Sequence, residues 1–227
     1  MGSNPGFLER GEIIVKEGQA QRRFVVAITG ATGIIYAIRL LEALRKDASI
    51  ETHLVLSNPA IQTLAYGTSW SLSEVRALAD HSYPHHDIGA SLASGSFPVE
   101  GMIIVPCSMH TLASVANGLG DNLILRAADV TLKERRSLIC VVRETPFHEG
   151  HLQNMLALTR RGGIIAPPLP AFYHQPESIE DLVQHQVGRF LDLMKIPNIL
   201  TPRWKEVSND SFEDVSVDQS INSNEDL

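Results

Sequence analysis

Phe24, Val25, Val26, Ala27 and Ile28 follow one another with no polar interruption. A strand with one face in water alternates apolar and polar side chains, so an unbroken apolar run marks a strand covered on both faces, as in a parallel sheet flanked by helices. Similar runs recur at 102–105 and 138–142, and each passes straight into a turn: Gly30-Ala31-Thr32-Gly33, Pro106-Cys107-Ser108 and Arg143-Glu144-Thr145-Pro146. Helical periodicity follows each turn, and strands alternating with helices imply right-handed βαβ crossovers. The predicted fold class is α/β, a single flavodoxin-like or Rossmann-like domain whose parallel sheet carries helices on both faces. In such a sheet the carboxyl ends of the strands share one crevice, where helix N-termini present unpaired N–H groups. The three junctions therefore predict an edge for phosphorylated ligands, a mononucleotide first.

Strands are expected at 23–29, 51–56, 102–105, 138–142 and 164–166. Helices are expected from Ile34 to about Lys46-Asp47, from Ile61 onward, over 73–79 and 108–116, through Leu123–Leu132, over 148–160 and over 179–194. The helix over 148–160 should turn Leu152, Met155, Leu156 and Leu158 inward, and the last helix Leu182, Val183, Val187, Phe190 and Leu191. Segments 81–87 and 94–96 read as loops. A chain of 227 residues, 44% apolar, suits one domain, placed at 23–200 between an N-terminal arm (1–22) and an acidic tail (201–227) expected to be disordered or loosely docked. Of the net charge of −7, the stretch 205–227 supplies −6, through seven acids against Lys205. The remainder is nearly neutral, which argues against a nucleic-acid partner. No apolar run reaches membrane-helix length, and Glu9, Glu12 and Glu17 near the start suit a cytoplasmic protein. Cys107 and Cys140 fall in apolar segments and are expected as reduced core residues.

The first turn lacks the three-glycine dinucleotide fingerprint, and no acid closes the second strand, which disfavours NAD. Thr32 stands at a helix start, where its hydroxyl can cap the helix or bind a ligand. Ser108 and Thr111 lie one helical turn apart and can either form an ordinary N-cap or hold a phosphate or the polar edge of a flavin. Arg126, Lys133, Glu134, Arg135, Arg136, Arg143 and Glu144 form a dense charge set. A solvated helix face accounts for some of it, but Arg143 and Glu144 directly follow a buried strand, where a cation can bind phosphate and an acid can manage its proton. His148 and His151 lack the spacing of a zinc helix, and His81, His85, His86 and Asp87 have no evident scaffold, so no metal site is expected. The proline-stiffened stretch 167–174 can hold Tyr173 against a ligand or simply join two elements.

Taken in order, Thr29–Gly33, Ser94-Gly95-Ser96-Phe97, Pro106-Cys107-Ser108-Met109, Arg126-Ala127-Ala128-Asp129-Val130, Leu132-Lys133-Glu134-Arg135-Arg136, Arg143-Glu144-Thr145-Pro146 and Ala171-Phe172-Tyr173-His174 closely resemble the UbiX/Pad flavin prenyltransferases of the homo-oligomeric flavin-containing cysteine decarboxylase superfamily. The resemblance covers about 23–197 and extends to Pro202-Arg203-Trp204. It implies a dodecamer that joins a dimethylallyl group from dimethylallyl phosphate to reduced FMN, without a metal, and delivers prenylated FMN to a UbiD-type decarboxylase. Carried over by position, it makes Gly30, Ala31, Thr32, Ser57, Ser108, Met109, Thr111 and Arg143 FMN contacts. Lys133, Arg143, Glu144, Tyr173 and Arg189 become the prenyl-phosphate pocket, and Arg126 a contact from a neighbouring subunit. Glu144, Lys133, Tyr173, Arg189 and Thr32 form the implied catalytic set, with Thr32 standing where the family usually has serine. Two rival readings remain beside it: an FMN-dependent decarboxylase of cysteine-type substrates, and a non-catalytic flavin-binding partner subunit of an aromatic acid decarboxylase.

Overall fold

The computed structural model describes residues 21–201 and 203. Most of the expected arm and tail, with Pro202 and Trp204, lies outside these residues. Six strands form one sheet: β1 (Arg22–Ile28), β2 (Ile50–Leu56), β3 (His81–Tyr83), β4 (Gly101–Cys107), β5 (Ser137–Val142) and β6 (Ile164–Ile165), all parallel, in the order β3-β2-β1-β4-β5-β6. Arg22, assigned above to the arm, opens β1.

The period of two along a strand divides each apolar run between two cores. Phe24, Val26 and Ile28 of β1, Ile103 and Val105 of β4, and Ile139 and Val141 of β5 enter one core. There they meet α1 (Ile34–Leu44) and α7 (Ile179–Leu193). Val25 and Ala27, Met102 and Ile104, and Leu138, Cys140 and Val142 enter the other, beneath α4 (Met109–Ala116), α5 (Leu123–Lys133) and α6 (Glu149–Arg160). This double coverage is why the runs carry no polar residues.

The first short helix, α2 (Asn58–Gly67), starts earlier than expected. Ser57 is its N-cap and Pro59 lies in its first turn, where a missing N–H costs nothing. The helix expected over 73–79 is α3 (Leu72–Ala77), closed at its start by a capping box of Ser71 and Glu74. The expected loop at 81–87 opens with β3, whose His81, Ser82 and Tyr83 pair with His53, Leu54 and Val55; a three-residue polar edge strand has no apolar signature to announce it. On α6 only Leu158 is buried, whereas Leu152 and Leu156, 53% and 50% exposed, point outward one turn apart. The expectation that they face the core fails because α6 is a rim helix touching little besides α4 and β6.

Candidate active site at the carboxyl edge of the sheet

The strand order reverses direction between β1 and β4, and at such a switch point the turns leaving the two strands diverge and open a crevice. Thr29 ties its walls together. Its buried hydroxyl donates to Pro106 O at 2.8 Å and accepts from Ser108 N at 2.9 Å, while Thr29 N donates to the same carbonyl. Gly30 follows, and a Cβ there would collide with Pro59 Cβ, so only glycine lets the β1 turn lie against α2. Gly33, at φ +97°, holds the left-handed conformation that starts α1, and no side chain caps that helix. Thr32 is therefore not a cap.

A cavity of about 290 Å³ opens here, lined by Gly30, Ser57, Ser108 and Thr111 among others. Four of the expected flavin contacts, spread from Gly30 to Thr111 in sequence, thus share one wall. Ser57 Oγ accepts from Ala60 N at 3.2 Å and Ser108 Oγ from Thr111 N at 3.2 Å, with Ser108 Oγ and Thr111 Oγ1 3.0 Å apart. A hydroxyl that accepts from a helix N–H keeps its own proton to donate. Two capped helix starts, the uncapped start of α1 nearby and a glycine-bared backbone suit the phosphate and carbonyl oxygens of a mononucleotide such as FMN. Pro59, His85, His110 and Asn122 complete this wall and were not foreseen. In the sequence His85 reads only as a possible metal ligand and His110 carries no signal of its own, while Asn122 carries the ordinary signal of an N-cap, which it is, for α5.

The other expected residues are distributed around this cavity. Thr32 lines an adjoining cavity of about 330 Å³ with Thr63 and Tyr66. Ala31 is half-buried and its N–H is taken by Thr29 O, and Met109 leans on the core beneath α4. Arg143 and Glu144 leave the end of β5, both exposed, with Arg143 N bonded to Cys107 O at 3.2 Å. The Arg143 guanidinium acts on Tyr36 of α1: burial raises the phenol's pKa and the nearby cation opposes the rise. Glu144 spends Oε1 on Thr145 N at 2.9 Å. Arg126 sits on the first turns of α5, paired with Asp129 at 3.0 Å.

Lys133 lies at the opposite end. Whereas α5 starts at the cavity wall, it ends just before β5, and Lys133 pairs there with Glu134 beside Gly95. Arg136 donates to Gly95 O at 2.8 Å and to Phe97 O at 3.0 Å, so two of the sequence motifs meet at the amino edge of the sheet. Tyr173 and Arg189 share a third cavity, of about 330 Å³, beside β6 and α7. Tyr173 Oη is 2.8 Å from His185 Nε2, and Arg189 pairs with Asp192, which Arg203 also grips. One subunit therefore does not bring Lys133, Arg143, Glu144, Tyr173 and Arg189 into one pocket. Cys107 is buried, and a hydrogen bond with Cys140 and then burial push its thiol well up, away from the thiolate form that a nucleophile uses.

The model of the Flavoprotein family matches residues 12–191. A probable UbiX-like flavin prenyltransferase of Bacillus subtilis is 49% identical over 192 residues, 85% of this chain and 94% of that protein. The chain belongs to the UbiX-like flavin prenyltransferases. Among solved relatives of this family, AnUbiX (PadA1), in complex with FMN and dimethylallyl pyrophosphate, superposes with a TM-score of 0.80 at 52% identity, over 83% of this chain and all of that one. A dodecameric FMN-dependent UbiX-like decarboxylase from Escherichia coli O157:H7 gives 0.79 at 47% identity, over 81% and 99%. The FMN-dependent cysteine decarboxylase TvaF, at 16% identity and a TM-score of 0.53, shares the fold alone.

Proposed function

We propose that this chain transfers the dimethylallyl group of dimethylallyl monophosphate to reduced FMN, and that the prenylated FMN serves a UbiD-type decarboxylase. The observation that carries the proposal is the cradle at the switch point, where Gly30, Ser57, Ser108 and Thr111 converge within reach of the strand end that bears Arg143 and Glu144. It lies in a chain half-identical to one solved with FMN and a dimethylallyl ester. Bound as the acceptor, reduced FMN supplies the nucleophilic ring atoms.

The chain's own residues handle the leaving group. Cleavage of an allylic ester places growing negative charge on phosphate oxygens, and preorganised cations lower that barrier. Arg143 supplies one cation from the edge itself, and Lys133 and Arg189 supply others. Glu144 holds a proton for the departing phosphate with the carboxylate oxygen not bonded to Thr145. Tyr173 closes the pocket against water, which would otherwise quench the cation.

Because Lys133 stands at the amino edge and Tyr173 with Arg189 beside α7, neighbouring copies supply what one carboxyl edge lacks, with Arg126 also reaching across. The outward-facing Leu152 and Leu156 of α6, with exposed Phe147 and Leu119, give such copies apolar surface to bury. A dodecamer like that of the Escherichia coli relative meets this need. A cytoplasmic setting fits the two buried free thiols. Among the described residues no helix is long and apolar enough to cross a membrane.

The deciding experiment incubates the purified protein anaerobically with reduced FMN and dimethylallyl monophosphate and weighs the flavin by mass spectrometry. A flavin heavier by one prenyl unit is expected. An unchanged mass with verified reduction overturns the assignment.

A further inference from the structure

The amino end of β2 carries a second cluster, at the opposite end of the strand from Ser57 and the cradle. Glu51 and His53, two residues apart on β2, share one face of the sheet, and His81 of β3 is the in-register neighbour of His53. The two imidazoles stack with centroids 4.8 Å apart and planes 17° from parallel. Both aim Nε2 at a single oxygen: Glu51 Oε1 is 3.2 Å from His53 Nε2 and 3.1 Å from His81 Nε2. The three donor atoms lie within 4.8 Å of one another.

His53 makes this more than a surface coincidence. Its side chain is 1% exposed, yet Nε2 makes no hydrogen bond, because Glu51 Oε1 is close but out of line with an N–H. A buried polar atom without a partner is costly, and such an atom in a native fold calls for an explanation. Its other nitrogen, Nδ1, lies 2.9 Å from the Tyr83 hydroxyl. If Nδ1–H donates there, the lone pair of Nε2 points into the cluster, which is how a second hydrogen bond orients a metal-binding histidine. The carboxylate is held likewise: Arg23 Nε donates to Glu51 Oε2 at 2.9 Å and leaves Oε1 turned toward the imidazoles. His81, with half of its side chain in solvent, supplies the way in.

We propose that Glu51, His53 and His81 bind a zinc ion, with water as a fourth ligand, fastening the short edge strand β3 to β2. Two imidazoles and one carboxylate suit a borderline cation, and cross-strand neighbours lie close enough to chelate it after a small turn of the exposed His81 ring. The cluster is remote from the flavin edge, so it acts on the integrity of the sheet.

The full-length protein, stripped with chelator and dialysed free of it, is titrated with zinc by calorimetry and with cobalt(II) by visible absorption, beside His81→Asn, Glu51→Gln and, as a control, His86→Asn. The proposal expects one zinc per chain, the strong visible bands of four-coordinate cobalt, and a zinc-dependent rise in melting temperature. It also expects zinc binding weakened by more than about tenfold in His81→Asn and Glu51→Gln but unchanged in His86→Asn. His81 is exposed, so that variant keeps its core, and a far-UV spectrum matching the wild type verifies this. Absence of saturable binding to the wild type, the weak bands of six-coordinate cobalt, or equal binding by folded His81→Asn overturns the proposal. None of these readouts depends on prenyl transfer.

Discussion

The role proposed for Glu144 does not depend on burial. The residue is exposed and accepts a hydrogen bond from the next backbone N–H, and it follows a strand that delivers Arg143 beside it to the same edge. Glu144→Gln should therefore leave FMN affinity unchanged in a flavin titration while prenyl transfer, followed by mass, slows by roughly 10²-fold or more, as for loss of a general acid. Gly30 predicts the reverse pattern. In Gly30→Ala the new Cβ meets Pro59, so the β1 turn must move away from α2, and FMN binding should fall first, read by fluorescence quenching of the flavin. In the sequence Thr29 reads as the end of a strand and the first residue of the glycine turn motif, with no sign of a tie between strands. Its hydroxyl bonds across 77 and 79 residues exist because β1 and β4 are neighbours, and no local pattern announces that adjacency.

Among the elements, the helix starts carry both stability and binding, and the two can be separated. Ser108→Ala removes the α4 cap, at a cost of about 1 kcal/mol, together with the hydroxyl offered to the flavin. Ser108→Gly should restore most of the capping loss and none of the FMN affinity, which thermal melts with and without FMN would distinguish. Helix α7 makes a pH prediction through His185, whose pKa burial pushes below its ordinary 6.5, with electrostatic interactions from His174 and Arg189 adding to the effect and Asp192 opposing it. With the folded value the lower one, the unfolded chain takes up the proton first, so this contribution to stability is complete above pH 6.5 and is lost as pH falls through the folded value. Melting temperatures of the wild type should drop on acidification over that range more steeply than those of His185→Gln. The helices and long strands were readable from periodicity. β3 and the outward face of α6 were not, because edge strands and rim helices answer to neighbours rather than to a core of their own.

For the whole molecule, Lys133 and Arg143 stand at opposite ends of the sheet within one chain, so the proposed function makes assembly part of the chemistry. Lys133→Ala and Arg143→Ala homo-oligomers should each be inactive. Oligomers reassembled from both should regain activity, since some sites then pair an intact Arg143 edge with an intact Lys133 from a neighbour. No recovery in verified mixed oligomers would place both residues in a site within one chain. What the sequence by itself determined were the features local periodicity encodes: strands apolar on both faces, hence a parallel sheet with helices on both sides, and small or charged turns at the strand ends, hence an expected ligand edge; Ser57 joined that expectation only through the family resemblance, and it lines one cavity with Gly30, Ser108 and Thr111. Only the tertiary structure decided what depends on which strands are neighbours. The order β3-β2-β1-β4-β5-β6 puts the crevice between β1 and β4, sends α5 back to carry Lys133 away from that crevice, and sets His81 beside His53. Strand adjacency is chosen by burial summed over the whole chain, and a reading residue by residue has no access to that sum.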